Sequence, residues 1–81
     1  MYLDKRSQAL DLPDAELARF FKALSEPARL RIVLALSDEC RPVTDVVTLT
    51  GLPQPLVSHH LRILRETGIA QPQRRGPFVY Y

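Results

Sequence analysis

The run from Gln54 to Thr67, set between Gly51-Leu52-Pro53 and Gly68, restricts what this chain can fold into more than any other stretch. Val57, Leu61 and Leu64 recur at the spacing of one helical face, and Leu56, His60 and Ile63 lie on its flank. At about 100° per residue, Pro55, Ser58, His59, Arg62 and Glu66 fall on the opposite arc. A helix that packs through its leucines must therefore present those five to solvent. The segment before it, Val43 to Thr50, is apolar at Val43, Val46, Val47 and Leu49 and is stopped by Gly51, a residue suited to a left-handed helix cap. Its β-branched residues would also suit a strand. The tight turn and the long periodic helix that follow favour a short helix.

The remaining elements read around this pair. Pro13-Asp14 suits the opening of a first helix, whose Leu17, Phe20, Phe21 and Leu24 form an apolar stripe, with the two phenylalanines expected in the core. Ser25-Glu26-Pro27 resets the chain, with Ser25 as candidate cap and Leu30, Val33, Leu34 and Leu36 as the expected buried side of a second helix. Ser37 to Pro42 is a polar connection. Beyond Gly68, Ile69 to Arg74 and Phe78 to Tyr81 flank Arg75-Gly76-Pro77, which predicts a β-hairpin with a basic tip and with Tyr80 and Tyr81 stacked on the helices. The expected fold is mainly α with a small β-hairpin, a winged helix-turn-helix. Residues 1–12 read as an arm or extra helix, and 13–81 as the domain proper.

A chain of 81 residues makes one domain and buries only about 60% of the surface its unfolded form exposes. The single cysteine, Cys40, cannot close an internal disulfide, so a partner subunit is the expected support. That lone thiol, with no leader-like pattern at Met1 to Leu12 and no long apolar run, implies a cytoplasmic protein outside the membrane. Net charge is only +2, but it is unevenly spread. Residues 1–51 carry seven Lys and Arg against eight Asp and Glu, whereas 52–81 carry four arginines against one glutamate. Arg62, Arg65, Arg74 and Arg75 gather at the C-terminal end, the footprint expected for a polyanion partner.

Short helix, tight turn, longer helix with a polar face and basic hairpin suit double-stranded DNA. The second helix of such a motif fits the major groove, about 12 Å wide, where base edges show distinct donor and acceptor patterns. Gln54 is suited to adenine, Ser58 and His59 can donate or accept, and Arg62 or Arg65 can reach guanine or phosphate. Arg74 and Arg75 suit phosphate or an adjacent minor groove, which adds affinity without reading sequence. His59 and His60 project about 100° apart and cannot jointly hold one metal, so His60 reads as a satisfied, partly buried ring. Cys40 reads as an inert or weakly reactive thiol. No set of nucleophile, base and orienting group is present in the sequence pattern, which excludes an enzyme, and no cofactor is expected.

Phe21-Lys22-Ala23-Leu24-Ser25-Glu26-Pro27-Ala28-Arg29-Leu30-Arg31-Ile32 resembles the opening signature of the ArsR/SmtB family of bacterial repressors. The stretch from Gly51 to Gly68, with Val57-Ser58-His59-His60-Leu61 at its centre, resembles that family's recognition helix, and Arg74-Arg75-Gly76 with Val79-Tyr80-Tyr81 its wing. The resemblance covers residues 15–81 and implies a homodimeric repressor that leaves its operator when an inducer, often a metal ion, binds. The chain departs from the family in what it could sense. Where the family carries two metal-binding cysteines one residue apart, this chain has Pro42 and Thr44; the family's second metal site lies on a helix after the wing, and this chain ends at Tyr81. No metal ligand is therefore assigned, and the inducer is not legible. Pro53 stands where the family commonly places a capping serine, so the recognition helix must be capped differently. With no further helix after the wing, Met1 to Leu24 is expected to supply most of a dimer interface. The rival expectation is a winged-helix module that binds a protein and never touches DNA.

Overall fold

Residues Asp14 to Tyr81 are described by the structure, a computed structural model; the expectations for residues 1–13, including the arm and the opening of the first helix at Pro13, lie outside that range. Four helices and a hairpin follow in order: α1 Asp14–Leu24, α2 Pro27–Leu36, α3 Val43–Thr50, α4 Gln54–Glu66, β1 Gln73–Arg75 and β2 Phe78–Tyr80. Together they form the winged helix-turn-helix that the sequence predicts. No helix among the described residues is long and apolar enough to cross a membrane.

The core is made where α2, α3 and α4 meet. Ile32, Val46, Val57, Leu61 and Leu64 are buried there with Ala70, and Val33, Leu36, Val43, Val47, Leu52, Ile69 and Tyr81 pack around them. The α4 seam is the one expected from its spacing. Gly51 ends α3 in the left-handed region at φ 71°, its N–H donating to the Val47 carbonyl at 2.9 Å, and the chain turns directly into α4. The helical reading of Val43 to Thr50 is thus correct, although Leu49 points outward.

Three expectations about the first two helices need correction. Phe20 and Phe21 are not core: they are 37% and 63% exposed and meet each other edge to face, while Ala23 is the buried residue of α1. Periodicity located the apolar stripe but could not say what covers it. Ser25 does not cap α2, since its hydroxyl donates back to the Lys22 carbonyl at 2.7 Å and Glu26 occupies the cap position without a side-chain hydrogen bond. Leu30 and Leu34 are exposed, Leu34 at 72%, and Ile32 is the buried anchor of α2. The α2 sequence, Pro-Ala-Arg-Leu-Arg-Ile-Val-Leu-Ala-Leu, is apolar on most sides, so spacing alone does not single out a face.

The hairpin is shorter than expected on its first strand. Ile69 and Ala70 are drawn back over the end of α4, both N–H groups donating to the Leu64 carbonyl at 2.9 and 3.1 Å, while Gly68 donates to Arg65 at 3.0 Å. This is the paired closing pattern in which a left-handed glycine, here at φ 79°, lets the chain satisfy the last carbonyls of a helix. Pairing starts only at Gln73, after Pro72. The strands then run antiparallel with Gln73 opposite Tyr80, Arg74 opposite Val79 and Arg75 opposite Phe78, leaving Gly76 and Pro77 as a two-residue loop.

Candidate nucleic-acid interface

The position of α4 is set at both ends. At its start, Pro53 serves as the cap residue, and its carbonyl accepts from Leu56 and Val57, both at 3.0 Å. The first N–H groups of a helix lack partners inside it. Two of the residues concerned, Pro53 and Pro55, have no N–H, so proline removes the need that a serine cap would otherwise meet. At the far end, Thr67 donates its hydroxyl to the Ile63 and Leu64 carbonyls at 3.0 and 3.1 Å. Between these points Val57, Leu61 and Leu64 seat the helix on α2 and α3.

With that seam inward, Gln54, Ser58, His59, Arg62 and Arg65 are all exposed. Gln54, Arg65, Ser58 and Arg62 lie within about 80° of helix circumference, and His59 stands about 60° beyond Arg62 on the same exposed side. The face is polar and cationic, with Arg62 Nη2 3.5 Å from His59 Nδ1. Among the described residues the ion pairs are those of Arg41 with Asp38 and Glu39, at 3.2 and 3.0 Å, so no carboxylate there ties up Arg62 or Arg65.

The hairpin arginines are exposed too, but they are not equivalent. Neighbouring residues on a strand face opposite ways, so Arg75 shares a face with Gln73, Phe78 and Tyr80 while Arg74 shares the other with Val79. Arg75 donates from Nη2 to Gln73 Oε1 at 3.1 Å, and its guanidinium sits 4.6 Å from the centre of the Tyr80 ring. It is held ready in one geometry, whereas Arg74 has no such neighbour among the described residues. The wing itself is fastened to the helical body: Arg41 and Tyr81 exchange backbone hydrogen bonds at 2.8 Å each, beside a bridge between Pro42 and Tyr80. Arg41 also donates from Nε to the Ala35 carbonyl at 2.7 Å, so one residue joins the end of α2 to the last strand.

His60 is turned away from this face. It is 6% exposed, as expected of a satisfied ring, and its Nδ1 lies 3.2 Å from Arg29 Nη1. Burial first, then the charge of Arg29 and then that of His59 lower its pKa from the usual 6.5, against a smaller opposing pull from Glu26. Neither Arg29 nor Arg41 was singled out from the sequence. For Arg29 a signal existed, because it stands three residues before Ile32 and hence on the buried side of α2. For Arg41 none did, since its partners depend on where the hairpin docks.

The residues present do not fit a thiolate metal site of the kind the family resemblance implies. Pro42 has no ligating atom on its side chain, and Thr44, in the first turn of α3, offers only an exposed hydroxyl. Cys40 is exposed and single, its thiol 3.7 Å from Gln73 Oε1, and soft metals require several sulfur or nitrogen ligands at short range.

Comparison with known proteins agrees with this geometry. A family model for bacterial regulatory proteins of the arsR family matches residues 26–71, from the cap of α2 to just before the wing. The transcriptional repressor SmtB of Mycobacterium tuberculosis is 43% identical over 60 residues, which is 74% of this chain and 44% of that protein. The chain spans about half the length of the curated relatives it matches. Among solved structures, the transcriptional repressor BigR from Xylella fastidiosa superposes with a TM-score of 0.79 at 31% identity, over 91% of this chain and 76% of that one. A homodimeric winged helix-turn-helix DNA-binding domain from Mycobacterium bovis, solved in solution, gives a TM-score of 0.80 at 32% identity over 98% and 70%.

Proposed function

The chain belongs to the ArsR family of bacterial regulatory proteins, and from that premise we propose that it is a sequence-specific DNA-binding transcriptional regulator, a repressor that acts as a homodimer and leaves its operator when an inducer binds. The observation that carries this reading is the division of α4: Val57, Leu61 and Leu64 are buried, and the exposed arc holds Gln54, Ser58, His59, Arg62 and Arg65. Those side chains can enter a major groove, with Gln54, Ser58 and His59 toward base edges and the arginines toward guanine or phosphate. Arg75, oriented by Tyr80 and Gln73, and Arg74 on the opposite face of the hairpin, supply phosphate or minor-groove contacts at the wing.

A homodimer suits this reading. Two α4 helices related by a two-fold axis read half-sites one helical turn, about 34 Å, apart. The exposed Leu17, Phe20 and Phe21 of α1 offer an apolar face for the second subunit. Selection of bound duplexes from a randomised pool, followed by titration at several salt concentrations, tests the reading directly. It predicts a palindromic site and a steep fall of affinity with salt. Salt-insensitive binding to a protein, with no duplex retained, would instead identify a protein-interaction module.

A further inference from the structure

One side chain connects three helices behind the exposed arc of α4. Arg29, half-buried on α2, donates from Nε to the Ala23 carbonyl near the end of α1 at 2.6 Å and reaches His60 on α4 with Nη1 at 3.2 Å. A guanidinium has donors and no acceptor. The second contact is therefore a hydrogen bond only while His60 Nδ1 keeps its lone pair, which leaves the ring neutral with its proton on Nε2. The groups facing that ring are Arg29 from α2, His59 from α4 and Glu26 at the cap of α2. From α1 the Ala23 carbonyl meets Arg29 and not the ring itself, and Arg19 and Lys22 line the same groove as Arg29. Of the charged and titratable groups facing the ring, Arg29 and His59 oppose a proton there and Glu26 favours one. If His60 took one up, Nδ1 would become a donor facing a donor.

We propose that Arg29 and His60 are positioning residues for DNA reading: they pin the back of α4 to the C-terminal end of α1, and protonation of His60 opens the pin. This rests on the DNA-binding reading above and deepens it, because α1 carries the face offered to a second subunit while α4 carries the face offered to base pairs. A pin between them sets how the two recognition helices stand relative to the dimer axis. The depressed pKa of His60 agrees with the closed state holding at neutral pH and opening on acidification.

The test uses the duplex that the wild-type chain selects at about pH 7.5, and variants Arg29→Met, His60→Leu, both together, and His60→Asn. Arg29→Met and His60→Leu are each expected to lose affinity on the order of tenfold, the size expected when a buried group loses its hydrogen-bond partner, with the double variant losing no more than either one. His60→Asn keeps an acceptor near the place of Nδ1 but does not titrate. It is expected to retain affinity at neutral pH and to lack the weakening that the wild type shows on acidification. In parallel, an NMR titration of the free protein should find His60 protonating below the ordinary histidine range, and rising toward it in Arg29→Met. Losses that multiply in the double variant, an acid response unchanged in His60→Asn, or a His60 titration indifferent to Arg29 would each overturn the pin. Failure of the wild type to retain any duplex would overturn the DNA reading and the positioning role together. The NMR arm alone would then report whether the contact exists.

Discussion

Ser58 and His59 are neighbours in sequence, yet α4 turns them about 100° apart, so in the proposed complex they would address different base pairs or different strands. Replacing either with alanine is expected to cost about 1–3 kcal/mol of discrimination between the selected duplex and random DNA. Non-specific affinity should stay nearly constant. Arg75→Ala should do the reverse, weakening binding to both duplexes and lowering the salt slope by about one, because in the proposed complex the wing arginine would meet phosphate or groove floor and not a particular base. Binding isotherms on both duplexes at several salt concentrations separate the roles; equal losses from all three variants would contradict them. His60 gives a prediction of another kind. Its folded pKa is depressed below the unfolded value of about 6.5, so within that window the unfolded chain binds the extra proton and stability falls as pH is lowered. Above about pH 6.5 this contribution is level. Urea midpoints measured between about pH 7.5 and pH 5 should decline in the wild type and decline less in His60→Asn. At this scale the sequence made the exposed arc legible, since a helix with one apolar seam has only one other side. Arg29 was not legible as a partner of His60, because a contact across α2 and α4 depends on the packing of both.

Elements differ in how strongly their own residues dictate them. The α3 to α4 unit is specified locally: Gly51 at φ 71° ends one helix, two prolines remove unmet N–H groups at the start of the next, and a leucine seam fixes its rotation. A β-carbon at position 51 would meet nothing within 4 Å, so Gly51→Ala costs only the left-handed backbone, about 1–2 kcal/mol. The prediction is a lowered unfolding midpoint with DNA specificity retained at temperatures where the domain is folded. Leu61→Ala, in contrast, opens a cavity beneath α4 and should cost about 2–5 kcal/mol. Should Gly51→Ala prove as damaging as Leu61→Ala, the turn would be doing more than reversing the chain. The elements that misled are those whose neighbours decide them. Ile69 and Ala70 look like the beginning of a strand, but the carbonyls at the end of α4 capture their N–H groups first. In α2 the apolar residues surround the helix, and only the arrival of α3 and α4 on one side makes Ile32 the buried one.

Seen as a whole, the described domain has a small core built from α2, α3 and α4, with α1 laid outside it, burying Ala23 and accepting a hydrogen bond from Arg29 at that residue's carbonyl. On α1, Leu17, Phe20 and Phe21 form an exposed apolar face of the kind that marks an interaction surface. Those residues, with Glu16 and Thr67, line an open groove of about 270 Å³ between α1 and the end of α4. Burying one phenylalanine is worth about 1.5–3 kcal/mol, and a two-fold interface collects each such contact twice. The dimer contact proposed for α1 therefore falls outside the segment matched by the family model, which begins at residue 26, and must be tested on this chain. Phe21→Glu places a charge in the middle of the exposed stripe without touching the core. It is expected to convert a dimer at micromolar concentration into a monomer in sedimentation, with little change in the unfolding of the helical body. On DNA, that monomer should hold a single half-site with weakened affinity and become indifferent to the spacing between half-sites. If the wild type sediments as a monomer, or if Phe21→Glu remains a dimer that still demands the correct spacing, then the second subunit does not meet the first through this face of α1.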